Sequence, residues 1–157
     1  MIRRIFPLMM GAVLLVGFLA TEAGADDKKL KLRVDTHGFQ DFDQTPNGVF
    51  KGGAAFYVSG DICKELDLGD DDCTPIGKFH CWGWLFGQDQ PAVVSQEFDL
   101  FGRGKIQVQG VEDAGPRAVV GGTGKFRNVR GEATGFDLSQ FMETGEGEFI
   151  ANFKLKR

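Results

Sequence analysis

Carboxylates spaced two apart on a strand share one face, because strand side chains alternate. Glu97 and Asp99 are spaced in this way, with Phe98 and Leu100 on the opposite face. Turned into an apolar interior, such a pair gains raised pKa values and can do acid/base work. Turned outward, it is ordinary surface charge, and the spacing leaves both readings open. Glu112, Glu132 and Asp137 carry the same ambiguity. His80, Trp82 and Trp84 share one face of another strand-like run, as an aromatic ligand wall, an oligomer contact or plain packing.

The other polar clusters make weaker sites. Asp67, Asp70, Asp71 and Asp72 lack the alternating ligands, central glycine and closing glutamate of a calcium loop, so they read as a solvated acidic loop. Three cysteines, Cys63, Cys73 and Cys81, are an odd number. Cys63 and Cys73 flank the acidic loop and are the favoured disulfide; Cys63 with Cys81 is the alternative. His80 and Cys81 lack a paired-ligand spacing, so no metal is expected. The stretch Gly121-Gly122-Thr123-Gly124-Lys125 invites a phosphate reading. A P-loop needs glycine at 119 and Ser or Thr at 126, where Val119 and Phe126 stand. A dinucleotide fingerprint fails at Arg127. The stretch is therefore a structural turn.

The elements that must position these residues are strands. Leu30–Asp35, Val49–Asp61 (with a bend at Gly52-Gly53), Phe79–Phe86, Val93–Phe101, Lys105–Val111, Arg117–Val120, Phe126–Phe136 and Gly145–Leu155 alternate or run apolar between turn signals. Loops fall at Gly38–Gly48, which carries Pro46-Asn47-Gly48, at Cys63–Pro75, Gly87–Pro91 and Gly102–Gly104. Ser139–Thr144 has room for one helical turn. Eight antiparallel strands with short links favour an all-β, eight-stranded antiparallel β-barrel over a two-sheet sandwich, because closure removes exposed edges. A barrel of this size holds side chains or one small ligand.

Residues 1–25 stand apart. Arg3 and Arg4 precede an apolar run from Ile5 to Ala20, followed by Ala23-Gly24-Ala25. This is the pattern of a secretory signal peptide cleaved before Asp26. The run is shorter than the roughly 20 residues of a spanning helix. Residues 26–157 then form a single domain, exported to the periplasm or beyond, with no membrane span after cleavage. The net charge of −4 argues against nucleic acid and anionic membranes as partners. The 23 glycines and 15 phenylalanines suit tight turns and an aromatic interior.

The run Ala118-Val119-Val120-Gly121-Gly122-Thr123-Gly124, then Phe126 and Arg130-Gly131, resembles the most recognisable segment of dirigent proteins and the allene oxide cyclase-like barrels. Gly53–Val58, Gly102–Gly110 and Asn152–Leu155 resemble the family's early strand, a hairpin and its closing strand, so the likeness spans roughly residues 49–157. It implies an eight-stranded barrel, often a homotrimer, with an apolar cavity that confines a reactive molecule and few polar groups. By this resemblance the expected function is binding of a small hydrophobic or aromatic ligand in the lumen, with its cyclisation or isomerisation steered without a cofactor. Tyr57, Glu97 and Arg130 are the expected catalytic polar groups, and Trp82, Trp84 and Phe126 the pocket walls. The rival is a filled, non-catalytic structural barrel of the cell envelope.

Overall fold

The computed structural model describes residues 27–41, 55–69, 72–86, 91–112, 115–136 and 146–157. The strands are β1 (Lys28–Asp41), β2 (Ala55–Cys63), β3 (Pro75–Leu85), β4 (Ala92–Leu100), β5 (Gly104–Val111), β6 (Arg117–Gly122), β7 (Arg130–Thr134) and β8 (Gly147–Lys156). Each pairs antiparallel with the next, and β1 closes on β8, so the sheet is a barrel and not a sandwich. We call the end holding Leu85, Ala92, Val111 and Arg117 the upper end. The end holding Lys28, Leu100, Gly122 and Lys156 is the lower.

Several strand boundaries differ from expectation. β3 starts at Pro75 and not at Phe79, because Pro75, Gly77 and Lys78 pair with Cys63, Ile62 and Asp61 of β2. β1 continues through Gly38, read from sequence as loop, because a register shift between Thr36 and Gly38 keeps it paired to β2. β7 starts four residues late. A single 3-10 turn at Gly124–Phe126 intervenes and buries Phe126. The signal-peptide segment, Gly52-Gly53, Pro46-Asn47-Gly48, Asp70, Asp71, Asp137 and Ser139–Thr144 lie outside the described residues.

The glycine motif is indeed structural. Gly124 adopts φ 55°, and a Cβ there would stand 2.5 Å from the Arg103 carbonyl oxygen. That carbonyl accepts the Lys125 N–H at 2.8 Å, and Thr123 Oγ1 accepts the Lys105 N–H at 3.0 Å. The motif thus clasps the β4–β5 hairpin, and only glycine permits the approach.

The middle of the lumen is filled by rings. Phe98 on β4 meets Phe153 on β8, from the far wall, with centroids 5.1 Å apart; Phe79 meets Phe149 at 5.3 Å. Each buried ring stabilises the fold by about 1.5–3 kcal/mol. Cys63 and Cys73 form a disulfide across the acidic loop, and Cys81 is free and buried. The loop folds against the outer wall, where Gly69 N–H donates to Glu148 Oε2 at 2.8 Å and Glu148 also pairs with the buried Arg33. No helix among the described residues is long and apolar enough to cross a membrane.

Candidate functional site

Strand alternation puts one set of side chains inside, and on this inner wall polar residues are rare. Among the described residues, the buried polar ones are Thr36, Gln96 and Arg117 on this wall and Arg33 on the outer face, each at most 1% exposed. Thr36 is accounted for by its bond to the Gly147 carbonyl at 2.6 Å, and Arg33 by Glu148. Gln96 and Arg117 face the upper lumen.

Arg117 opens β6, and its guanidinium lies over the Phe136 ring at 4.1 Å, a cation–π contact. Its room is made by Gly110 on the neighbouring strand, where a Cβ would meet Arg117 Cγ at 2.9 Å. Glu112 follows β5 directly, held by its N–H donating to the Ala92 carbonyl at 2.7 Å. Burial pushes its carboxyl above the ordinary range, and the nearby Arg117 charge only partly opposes this. Gln96 pairs in register with Cys81 on one side and Val108 on the other. Neither end of its side-chain amide has a well-formed hydrogen bond among the described residues. Burial, with Glu112 adding to it and Gln96 and Arg117 opposing, pushes the Cys81 thiol up to about 12. Cys81 therefore senses the other three groups, and it is a neutral thiol, not a nucleophile.

This cluster sits on aromatic ground: Phe136 contacts Phe98 and Phe149 at 6.4 and 5.7 Å. A guanidinium and an amide can bind a ligand oxygen, a carboxyl of raised pKa can exchange a proton, and rings can stack on the ligand's body.

The residues expected from sequence stand elsewhere. Tyr57 is on the outer wall, its hydroxyl 2.6 Å from His80 Nδ1. Glu97 is also outside and accepts from Lys105 Nζ at 2.6 Å. Arg130 is exposed, donating to the Val129 carbonyl at 2.8 Å. Trp82 and Trp84 are 37% and 49% exposed on the same outer wall. The expectation that these five line the lumen is corrected by strand parity: Phe56, Val58, Phe79, Cys81, Gln96 and Phe98 take the inner face, so their neighbours point out. Glu132, left open from sequence, also faces out and pairs with Lys154 at 2.8 Å. Phe126 alone of the six is buried, and it lies at the lower end. Of the ambiguous carboxylates among the described residues, Glu112 is the one at the lumen. Gln96 and Arg117 were missed, although each breaks an apolar alternation, Gln96 between Val94 and Phe98 and Arg117 before Val119.

No family model and no curated protein matches the chain. Solved structures do. A pyocyanin demethylase aligns with TM-score 0.60 at 19% identity, covering 82% of this chain and 100% of that one. The pterocarpan synthase dirigent protein PsPTS1 aligns with TM-score 0.62 at 18% identity, over 83% and 96% of the two chains. A second, GePTS1, gives TM-score 0.57 at 16% identity over 83% and 90%. The chain has the dirigent-like barrel fold.

Proposed function

We propose that this barrel binds a small aromatic molecule at its upper end and steers a cyclisation or isomerisation of it without a cofactor. The observation that carries the reading is the Gln96 amide, buried without a well-formed hydrogen bond beside Arg117 and Glu112 in an aromatic lumen. A buried amide whose hydrogen bonds are not fully made costs about 1–3 kcal/mol. A ligand oxygen or N–H would recover that cost. The names of the similar structures, a pyocyanin demethylase and pterocarpan synthases, fit a barrel that takes small aromatic molecules. Confinement would supply the stereochemical control, and Glu112 the proton transfer.

Calorimetric titration with 1-naphthol and with naphthalene tests the binding. Q96L is expected to fold and to lose at least tenfold in naphthol affinity with naphthalene unaffected; equal naphthol binding by both proteins would refute the site. The Glu112 role is read by deuterium exchange beside the carbonyl of 1-tetralone, followed by NMR; exchange that survives E112Q removes Glu112 from the chemistry.

The packed middle of the lumen favours the structural-barrel reading, which the same titration separates: it expects neither probe to bind. The reading also places the protein outside the cytoplasm. The Cys63–Cys73 disulfide and the N-terminal pattern support export. Cell fractionation with N-terminal sequencing should find a chain starting at Asp26. A homotrimer belongs to the same reading. We assign its contact to the outer row Trp84–Val93–Val111, whose members sit in cross-strand register and are each more than a third exposed. Light scattering should show a trimer in the native protein and a monomer in W84E/V93E; an unchanged mass would overturn that contact.

A further inference from the structure

The lower end carries a cavity of about 520 Å3, within the range of small-molecule sites. Its floor is apolar: Leu30, Phe126, Val129 and Leu155. The last three are buried, so the floor is a preformed surface and not a loose patch. Its rim is cationic: Lys28, Lys29, Arg103, Lys125 and Arg157. No acidic residue among the described residues lines it. The whole chain carries a net charge of −4, so this concentration of positive charge is local.

The rim residues come from four places in the chain: the start of β1, the β4–β5 hairpin, the glycine motif and the C-terminus. Backbone bonds hold them there. Lys125 N–H donates to the Arg103 carbonyl at 2.8 Å, and the Arg157 guanidinium donates to the Lys125 carbonyl. Arg103 lies over the Phe126 ring at 5.6 Å, which links rim to floor. Lys28, Lys29, Arg103 and Lys125 enter no ion pair among the described residues. Like charges around one mouth repel, and an anion placed among them relieves that repulsion.

We propose that the lower cavity is a binding site for an amphipathic organic anion, with its acidic head among the rim cations and its apolar body on Phe126, Val129 and Leu155. This site is separate from the upper-lumen cluster and does not depend on it. The head group and tail could arrive as a free carboxylate or as an anionic lipid, and both present the same chemistry.

Calorimetric titration with dodecanoate below its micelle concentration is the direct test, with dodecanol and acetate as single-feature controls. Dodecanoate should bind at one site per chain, and each control at least tenfold more weakly. The affinity should fall several-fold between low and high salt, as charge screening requires. The rim variant R103E/K125E should weaken dodecanoate at least tenfold while leaving naphthol affinity unchanged. Q96L should leave dodecanoate binding unchanged. Circular dichroism of both variants checks folding, and the milder K28E/K29E replaces the rim variant if it misfolds. Vesicles of phosphatidylglycerol and of phosphatidylcholine distinguish the source. Flotation with the former in addition to dodecanoate binding supports a lipid origin, and dodecanoate binding alone supports a free anion. Flotation without dodecanoate binding overturns the cavity, as does equal binding of dodecanol or indifference to the rim variants.

Discussion

The two ends of this barrel treat polarity in opposite ways. At the upper end, Gln96 and Arg117 point inward and are almost fully buried, beside a partly buried Glu112. At the lower end, the cations stay in water on the rim, and only apolar side chains go inward. Burying polar groups costs stability unless they are paired, whereas solvated lysines cost little. The Gln96 amide, without a well-formed hydrogen bond among the described residues, therefore calls for a reason beyond folding, and the lower rim needs none until its uniform sign and apolar floor are considered together. Abundance of polar residues is a poor guide here. The outer wall has most of them, and its pairs, such as Lys78 with Asp61 and Lys105 with Glu97, already satisfy one another.

The ring layer keeps the ends apart, and removing it is the strongest way to break the contrast. F98A deletes a ring that touches Phe79, Phe136 and Phe153, and it should cost about 3–5 kcal/mol in urea denaturation. A loss below about 1 kcal/mol would mean that the layer is not a packed partition. Next in size, the Cys63–Cys73 bridge closes a span of ten residues at the lower end. C63S/C73S should lose about 2–3 kcal/mol by loop-closure entropy, with naphthol binding at the upper end intact.

A pH comparison sharpens the upper end. The Glu112 carboxyl has a raised pKa when folded, so between the unfolded value, about 4.3, and the folded value the native state holds more protons than the unfolded state. Its contribution therefore makes stability fall as pH rises through that window. The wild-type protein should lose stability relative to E112Q over this range; a flat difference would place Glu112 in a water-like setting. The comparison with E112Q cancels Asp35, whose carboxyl burial also raises, with Glu148 adding to it. Smallest of all, Y57F removes an outer-wall hydroxyl that meets His80, and it should cost no more than about 1 kcal/mol and leave both probes binding as before. A loss of naphthol binding in Y57F would return Tyr57 to the site.

Much of this fold is legible in the residues. The alternation of Leu30–Asp35 and Lys105–Val111, the failed phosphate patterns around Gly121–Lys125 and the flanking cysteines of the acidic loop each lead to the observed feature. The candidate site is less legible. Glu97 with Asp99 looked as promising as any carboxylate pair, yet Glu97 meets Lys105 on the outer wall. Gln96, one position away, carries the inner face. The informative mark was its type, an amide interrupting Val94 and Phe98.

By itself, the sequence determined the run of strands, the structural glycine turn and the favoured cysteine pair, because these depend on local spacing and backbone conformation. Only the tertiary structure decided which set of alternating side chains faces the lumen, since a period of two has two solutions and closure of the barrel selects one. It also decided that Lys28, Arg103, Lys125 and Arg157, far apart in the chain, ring a single mouth. Strand order and register bring them together, and no local pattern records that meeting.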